Sequence, residues 1–234
     1  MKRKIYNVLL LICVAVIGYA SYQIFISRQE YKQAEKEYQN VQKEAKSRRK
    51  IKFDALRKTN PDVVAWMEIP GTKISYPVVK GKDNNEYLHK TFSGKKNRSG
   101  CIFLDVKCKQ DFTSDNNIVY GHHMRDGSMF ARLVKFRQMS FVKRHHTIIL
   151  YLPRETRKLR VVSAYAMQPE KIPITFSDEK EKNNYIQKIK KRSDIKQGNI
   201  KGNIYTFVTC SYETKDNRTY VHAIEEATWK KTIK

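Results

Sequence analysis

A thiol attacks a carbonyl only as its thiolate, and acyl chemistry at sulfur also needs a positive neighbour and a proton carrier. Three residues of this chain could meet those needs. Cys210 ends the run Ile204 to Thr209, whose Ile, Tyr, Phe, Val and Thr residues are strand formers. Arg218 stands eight residues on, just before a second strand-like run, Thr219 to Ile224. A turn between two adjacent strands would bring both to the same rim of a sheet. There a guanidinium favours the thiolate or steadies the oxyanion that its attack creates. The proton carrier is His122, which closes Asn117-Ile118-Val119-Tyr120-Gly121, a strand passing into a loop.

Each residue also has a plainer reading. A cysteine at a strand end is commonly a small buried hydrophobe, and an arginine among 47 basic residues is by default surface charge. Their combination lifts both above those defaults. Arginine suits the role better than lysine, because its fork is planar and its charge permanent. Among the other histidines, His123 is the local competitor of His122, and His145 and His146 read as a solvated helix end beside Lys143 and Arg144. His89 and His222 show no partner in the sequence. No metal site or cofactor is implied, for the histidines lack paired ligand spacing and no acidic cluster resembles a calcium loop.

The elements that must position these residues are mostly strands. Strand-like runs separated by turns cover Val63 to Ile69, Ile74 to Val79, Cys101 to Val106, Ile118 to Tyr120, Thr147 to Leu152 and Lys158 to Ala166, followed by the two runs already described. Eight short runs predict an antiparallel barrel or sandwich. Two helices interrupt them, predicted over Ser128 to Met139 and Asp178 to Lys191. The second has Tyr185, Ile186 and Ile189 on one side.

Upstream, Met1-Lys2-Arg3-Lys4 precedes an uncharged stretch, residues 5–26, long enough as a helix to span the roughly 30 Å hydrocarbon core of a bilayer. The basic start keeps residues 1–4 in the cytoplasm and the remainder outside. A cleaved signal peptide is the rival reading, since Gly18 and Ala20 give a small-x-small site. The apolar run continues past that site to Phe25 and Ile26, which favours an uncleaved anchor. Residues 27–58 form a charged helical stalk with Tyr31, Ala34, Tyr38, Val41 and Ala45 at heptad-like spacing. Too few clean heptads argue against a coiled coil and for a helix that packs on the domain. Asn60-Pro61 breaks that helix, so the catalytic domain spans residues 59–228 and residues 229–234 form a tail.

A net charge of +24 predicts affinity for polyanions. No zinc-ligand spacing, RNP-like run or basic-region heptad accompanies it, so solubility near an anionic surface is favoured over specific nucleic-acid binding. Four cysteines, at 13, 101, 108 and 210, make no disulfide framework in a chain of 234 residues. Cys101 and Cys108 could pair or remain free thiols.

Thr206-x-x-Thr209-Cys210 with Arg218 eight residues on, and Tyr120-Gly121-His122 upstream, resembles the sortases, cysteine transpeptidases of Gram-positive cell surfaces. Asn60-Pro61-Asp62-Val63-Val64-Ala65-Trp66, Ile69-Pro70-Gly71-Thr72, Tyr76-Pro77-Val78-Val79 and Gly100-Cys101-Ile102-Phe103-Leu104-Asp105 resemble the class B branch. The likeness runs from about residue 55 to residue 224. It implies a mainly β fold, a closed eight-stranded barrel with an N-terminal helical segment and a helix in the late strand connection. It implies Cys210 as nucleophile, His122 as acid and base, and Arg218 as substrate holder or oxyanion stabiliser. It further implies cleavage of a sorting signal after threonine and transfer to an amine. Partners would be sorting-signal-bearing surface or pilin proteins, an amine acceptor such as a lipid-linked peptidoglycan precursor, and the bilayer. In the segment Asp83 to Leu88, the positions of Asn84 and Leu88 would touch the peptide, as would Thr209. The loop Ile172-Pro173-Ile174 could add a wall through Ile174. Phe207 and Val208 depart from the leucine and small polar residue often found before Thr-Cys, which puts the accepted motif in doubt and leaves the chemistry intact. Two alternatives remain. One is another extracellular cysteine hydrolase or L,D-transpeptidase-type barrel, although Ser-x-Gly-Cys is absent. The other is a non-enzymatic, basic, membrane-tethered binding domain.

Overall fold

Runs rich in Val, Ile, Tyr and Phe form eight strands that close on themselves in the computed structural model, which describes residues 2–47, 50–195, 198–210 and 216–232. For residues 2, 46, 47, 50, 210 and 227–232 only the backbone is described. The strands are β1 Val63–Glu68, β2 Ser75–Val79, β3 Ile102–Leu104, β4 Asn116–Tyr120, β5 Thr147–Tyr151, β6 Glu155–Met167, β7 Ile204–Cys210 and β8 Arg218–Thr232. Around the barrel the order is β8-β6-β5-β1-β2-β3-β4-β7, with β7 pairing back to β8. Two pairings are parallel, β2 with β3 and β4 with β7. Parallel neighbours cannot be joined by a tight turn, so long connections cross one end of the barrel and supply the walls of the site.

The inner layer is dry. Trp66, Met67, Ile102, Val119, Phe207 and Val221 are fully buried, and Trp66 Nε1 donates to Ser75 Oγ at 3.1 Å. Several strands are buried on both faces because helices cover their outer sides. The helix α4, Glu179–Arg192, lies over β6 and buries Tyr185, Ile186 and Ile189. Its start is a reciprocal cap. Asp178 accepts from the Glu181 N–H at 2.7 Å, and the Glu181 carboxylate returns to the Ser177 N–H at 2.7 Å. Such caps stabilise a helix by about 1 kcal/mol.

The N-terminal helix α1 runs unbroken over Lys2–Ala45, and by length and composition it can cross a membrane. Its apolar side chains from Ile5 to Phe25 touch no other part of the protein's core, whereas Ala34, Tyr38, Val41 and Ala45 are buried against the barrel. Gln42 Nε2 ties it to the Ser75 carbonyl at 2.8 Å. The helix does not continue to residue 58 as the charged stretch suggested. It ends at Ala45, the strand residues Lys46–Ser47 and Lys50–Ile51 pair as a small ribbon, and a seven-residue helix α2, Phe53–Thr59, precedes β1. Lys46 and Lys50, like Arg48 and Lys52, would repel one another at i,i+4 on a helix.

The helix predicted over Ser128 to Met139 also breaks differently. Met129 takes a left-handed φ of 51°, so no helix starts at Ser128. A 3₁₀ turn covers Ala131–Arg137, Gln138 is extended, and α3 forms over Met139–His145. β6 and β8 overrun their predicted ends. β8 pairs with β6 as far as Thr232, so residues 229–232 extend the strand instead of forming a tail.

His222 is fully buried on β8 between β6 and β7. Thr206 Oγ1 donates to Asn116 Oδ1 at 2.7 Å, so His222 donates from Nδ1 to Thr206 at 2.9 Å and accepts from the Tyr165 hydroxyl at Nε2, 3.2 Å away. Burial pushes its pKa down to about 3, with the Glu170 carboxylate opposing weakly. The unfolded chain therefore binds this proton more tightly, and the stability held above pH 6.5 drains away as pH falls toward 3. A Tm series should show His222→Gln losing less stability than the wild type between pH 7 and pH 4, by on the order of 3 kcal/mol. Parallel curves would contradict this.

Candidate active site

β4 and β7 run parallel, with Asn116 opposite Ile204 and Tyr120 opposite Val208. The Gly121 N–H continues the ladder by donating to the Val208 carbonyl at 3.1 Å. Carried on by two residues, this register sets His122 level with Cys210 on the adjoining strand. On the other side of β7, Cys210 is paired directly with Arg218 at the start of β8. Neighbouring strands lie about 4.8 Å apart. The backbone thus brings the three residues of interest side by side at one rim of the barrel. The Cys210 side chain lies outside the described residues, so its position is given by its backbone alone.

Gly121 is required by packing. A Cβ there would come within 2.4 Å of Ile102 Cδ1 and 2.7 Å of the Phe130 ring. Any side chain would displace β4 at the point where it presents His122.

His122 is half-buried. Its Nε2 lies 2.7 Å from the Leu88 carbonyl, and the His89 ring stacks on it at 5.9 Å. A carbonyl can only accept, so Nε2 carries a proton and Nδ1 is the atom free for exchange. Burial holds the imidazole below its ordinary pKa, the Leu88 carbonyl opposes this, and His89 adds to it. His89 is the residue that sequence reasoning passed over, for nothing in its surroundings signalled a partner 33 positions away. The His123 backbone forms an isolated bridge with Met129.

The cleft around His122, about 270 Å³, is lined by Asn84, Leu88, Tyr120, Thr209 and Arg218 among others. It meets a larger groove of about 810 Å³ between the Ile172–Phe176 loop and α4, with Asn84 and Tyr120 common to both. Ile174 lines that groove and does not reach the His122 cleft. Asn84 is committed at both ends of its amide, donating to Asp105 at 2.9 Å and accepting from the Val106 N–H at 2.9 Å. Tyr120 donates to the same Asp105 carboxylate at 3.2 Å. Thr209 is buried, and its hydroxyl has no partner among the described residues. Arg218 is exposed, and its guanidinium has no hydrogen bond or ion pair among the described residues; burial raises the pKa of Tyr120 and Tyr220, and the Arg218 charge opposes this.

Comparison with known proteins agrees with this arrangement. A family model described as the sortase domain matches residues 67–226. The chain belongs to the sortase family. Sortase B of Listeria monocytogenes is 34% identical over 68% of this chain and 66% of its own length. Sortase B of Staphylococcus aureus is 29% identical over 90% of this chain and 91% of its own. Among solved structures, the Staphylococcus aureus sortase B–substrate complex has a TM-score of 0.78 at 28% identity, covering 86% of this chain and all of that one. These relatives place this sortase in class B, and it is a cysteine transpeptidase with the closed eight-stranded barrel of that class. The readings of a non-enzymatic binding domain and of an unrelated cysteine hydrolase are thereby set aside.

Two other thiols of this sortase are built to be inert. Cys101 and Cys108 are both free and buried. Burial pushes Cys101 up to about 12, although the Tyr38 hydroxyl oxygen, 3.4 Å from its sulfur, opposes this. Burial likewise pushes Cys108 up to about 11, against the Ile118 N–H that donates to it at 3.3 Å. In the folded protein at pH 7.5, iodoacetamide mapped by peptide mass should modify Cys101 and Cys108 at least about 100-fold more slowly than a free cysteine. Fast modification of either would contradict their burial.

Proposed function

We propose that this sortase cleaves a C-terminal sorting signal after threonine and transfers the threonine carboxyl to an amine, with Cys210, His122 and Arg218 as its catalytic residues. The observation that carries the reading is the shared register of the three on β4, β7 and β8. The Cys210 thiol gives its proton to Nδ1 of His122, the resulting thiolate attacks the threonine carbonyl, and the carbonyl π electrons move onto oxygen. Arg218, free of internal partners among the described residues, stabilises that oxyanion. Collapse of the intermediate expels the amine of the next residue, which takes a proton from His122 and leaves a thioacyl-enzyme. The acceptor amine then attacks the thioester, gives its proton to His122, and releases Cys210 as thiolate with a new amide formed. With Nε2 held by Leu88, these proton transfers run through Nδ1.

The peptide would lie in the His122 cleft and the groove that continues from it, with Leu88, Thr209 and Ile174 as contacts; the groove alone falls in the size range of ligand sites. Thr209 would offer its unpartnered hydroxyl. Asn84 would act mainly by holding Asp105 and Tyr120 in place. The solved complex of the Staphylococcus aureus relative with a substrate supports a substrate-binding role for this chain. Residues 5–26 would anchor the enzyme in the cell membrane, with residues 1–4 inside and the barrel on the wall side. The positive net charge suits work beside anionic wall and lipid surfaces. The acceptor is an amine of a lipid-linked wall precursor or a pilin lysine.

The test is to incubate the full chain in detergent micelles with peptides of the Asn-Pro-x-Thr-Asn and Ser/Leu-Pro-x-Thr-Gly types, with an added amine. Cleavage after threonine, with the amine joined to it, is expected for at least one type. Cleavage elsewhere, or none with either, would contradict the reading.

A further inference from the structure

Two of the contacts that hold His122 come from one connection, the chain between Tyr87 and Cys101. Leu88 supplies the carbonyl on Nε2, and His89 supplies the stacked ring. This connection is short of regular structure and is held by turns, among them Asn97 N–H to the His89 carbonyl at 2.9 Å and Cys101 N–H to the Tyr87 carbonyl at 3.0 Å.

Its outer side is gripped by α1. The Tyr38 hydroxyl donates to the Gly100 carbonyl at 2.6 Å, and the Glu37 carboxylate accepts from the Ser93 N–H at 2.9 Å. Further along, the Glu30 carbonyl accepts from Asn97 Nδ2 at 3.0 Å, and Arg98 reaches the Glu30 carboxylate at 3.1 Å. Gly100 sits directly on the peptide unit that holds the histidine. It has a φ of 57°, and a Cβ there would lie 2.6 Å from the Leu88 carbonyl oxygen. Glycine is therefore required at the point where helix and loop meet.

We propose that α1 is a positioning element of the active site: Tyr38 fixes Gly100, Gly100 backs the Leu88 carbonyl, and that carbonyl fixes the direction and tautomer of His122. The functional consequence rests on the role of His122 proposed above. A neutral imidazole can carry its proton on either nitrogen, and only the form protonated at Nε2 leaves Nδ1 free to exchange protons with the reacting groups. Because α1 also carries the apolar segment, that segment and the Tyr38 contact that backs the support of His122 lie on one helix.

Tyr38→Phe tests this, since it removes the hydroxyl and keeps the ring that packs edge-on to Tyr76 at 5.3 Å. Gln42→Ala is the control, cutting a bond from α1 to Ser75 that touches neither the loop nor His122. The readouts are two-bond ¹H–¹⁵N spectra of histidine-labelled full chain in micelles, assigned with His122→Ala, and steady-state kinetics with a sorting-signal peptide.

The wild type should show His122 as a single Nε2–H tautomer. Tyr38→Phe should show mixed tautomers, titration at lower pH, and kcat lowered about 10-fold with KM little changed. Gln42→Ala should match the wild type in all three. A wild-type ring spectrum in Tyr38→Phe, or equal changes in Gln42→Ala, would overturn the proposal. If even the wild type leaves the peptide uncut, the proposed reaction fails and the ring spectra alone decide the positioning claim.

Discussion

Cys210→Ala should leave a folded barrel with no measurable transpeptidation, a loss of at least about 10⁴-fold in kcat/KM. The substitution removes one sulfur at the end of a strand whose preceding residues, Ile204 to Thr209, are all buried. Those buried residues carry the packing, so Tm should move little. Without the thiolate no thioacyl-enzyme forms, and the neighbouring groups have nothing to assist. Cys210→Ser should be nearly as inactive, because a hydroxyl beside an imidazole of lowered pKa is a far weaker nucleophile than a thiolate. Substantial turnover by Cys210→Ala would move the nucleophile elsewhere, and neither Cys101 nor Cys108 is exposed enough to serve.

Arg218→Ala should cost roughly 10²–10³-fold in kcat/KM, the range seen when one oxyanion donor is lost. Arg218→Lys should recover only part of this, because an ammonium lacks the planar fork. Neither change should alter stability by more than about 0.5 kcal/mol, since the side chain is exposed and unbonded among the described residues. That combination separates an electrostatic role from a structural one. Peptide kinetics beside thermal unfolding make the measurement. A lysine variant with full activity would reduce Arg218 to a nonspecific charge.

The strands were legible because their cores are β-branched and aromatic, and each of the eight predicted runs overlaps an observed strand. Their ends were less so. The polar stretch Glu155 to Arg157 joins β6 because β5 and β8 lie on either side to pair with it, a tertiary circumstance that composition does not encode. The late helix read well, since Asp178 and Glu181 announce its cap. The helix after His122 did not, because nothing local marks Met129 for a left-handed backbone.

The same division holds at the rim. Cys210 and Arg218 stand where a hairpin would put them, and Tyr120-Gly121-His122 reads as a strand running out into a loop. Hidden from the sequence was the support of His122. It comes from a backbone carbonyl at Leu88 and a ring at His89, held in turn by Tyr38 on a helix that spacing suggested only as packing. Backbone groups have no residue type, so no pattern of letters announces them.

The most direct test of the central claim is the intact mass of the full chain after incubation with a sorting-signal peptide. The account predicts an added thioacyl mass that maps to Cys210, is discharged by an amine, and is absent from Cys210→Ala. An adduct on another residue, or turnover without any adduct on Cys210, would contradict it.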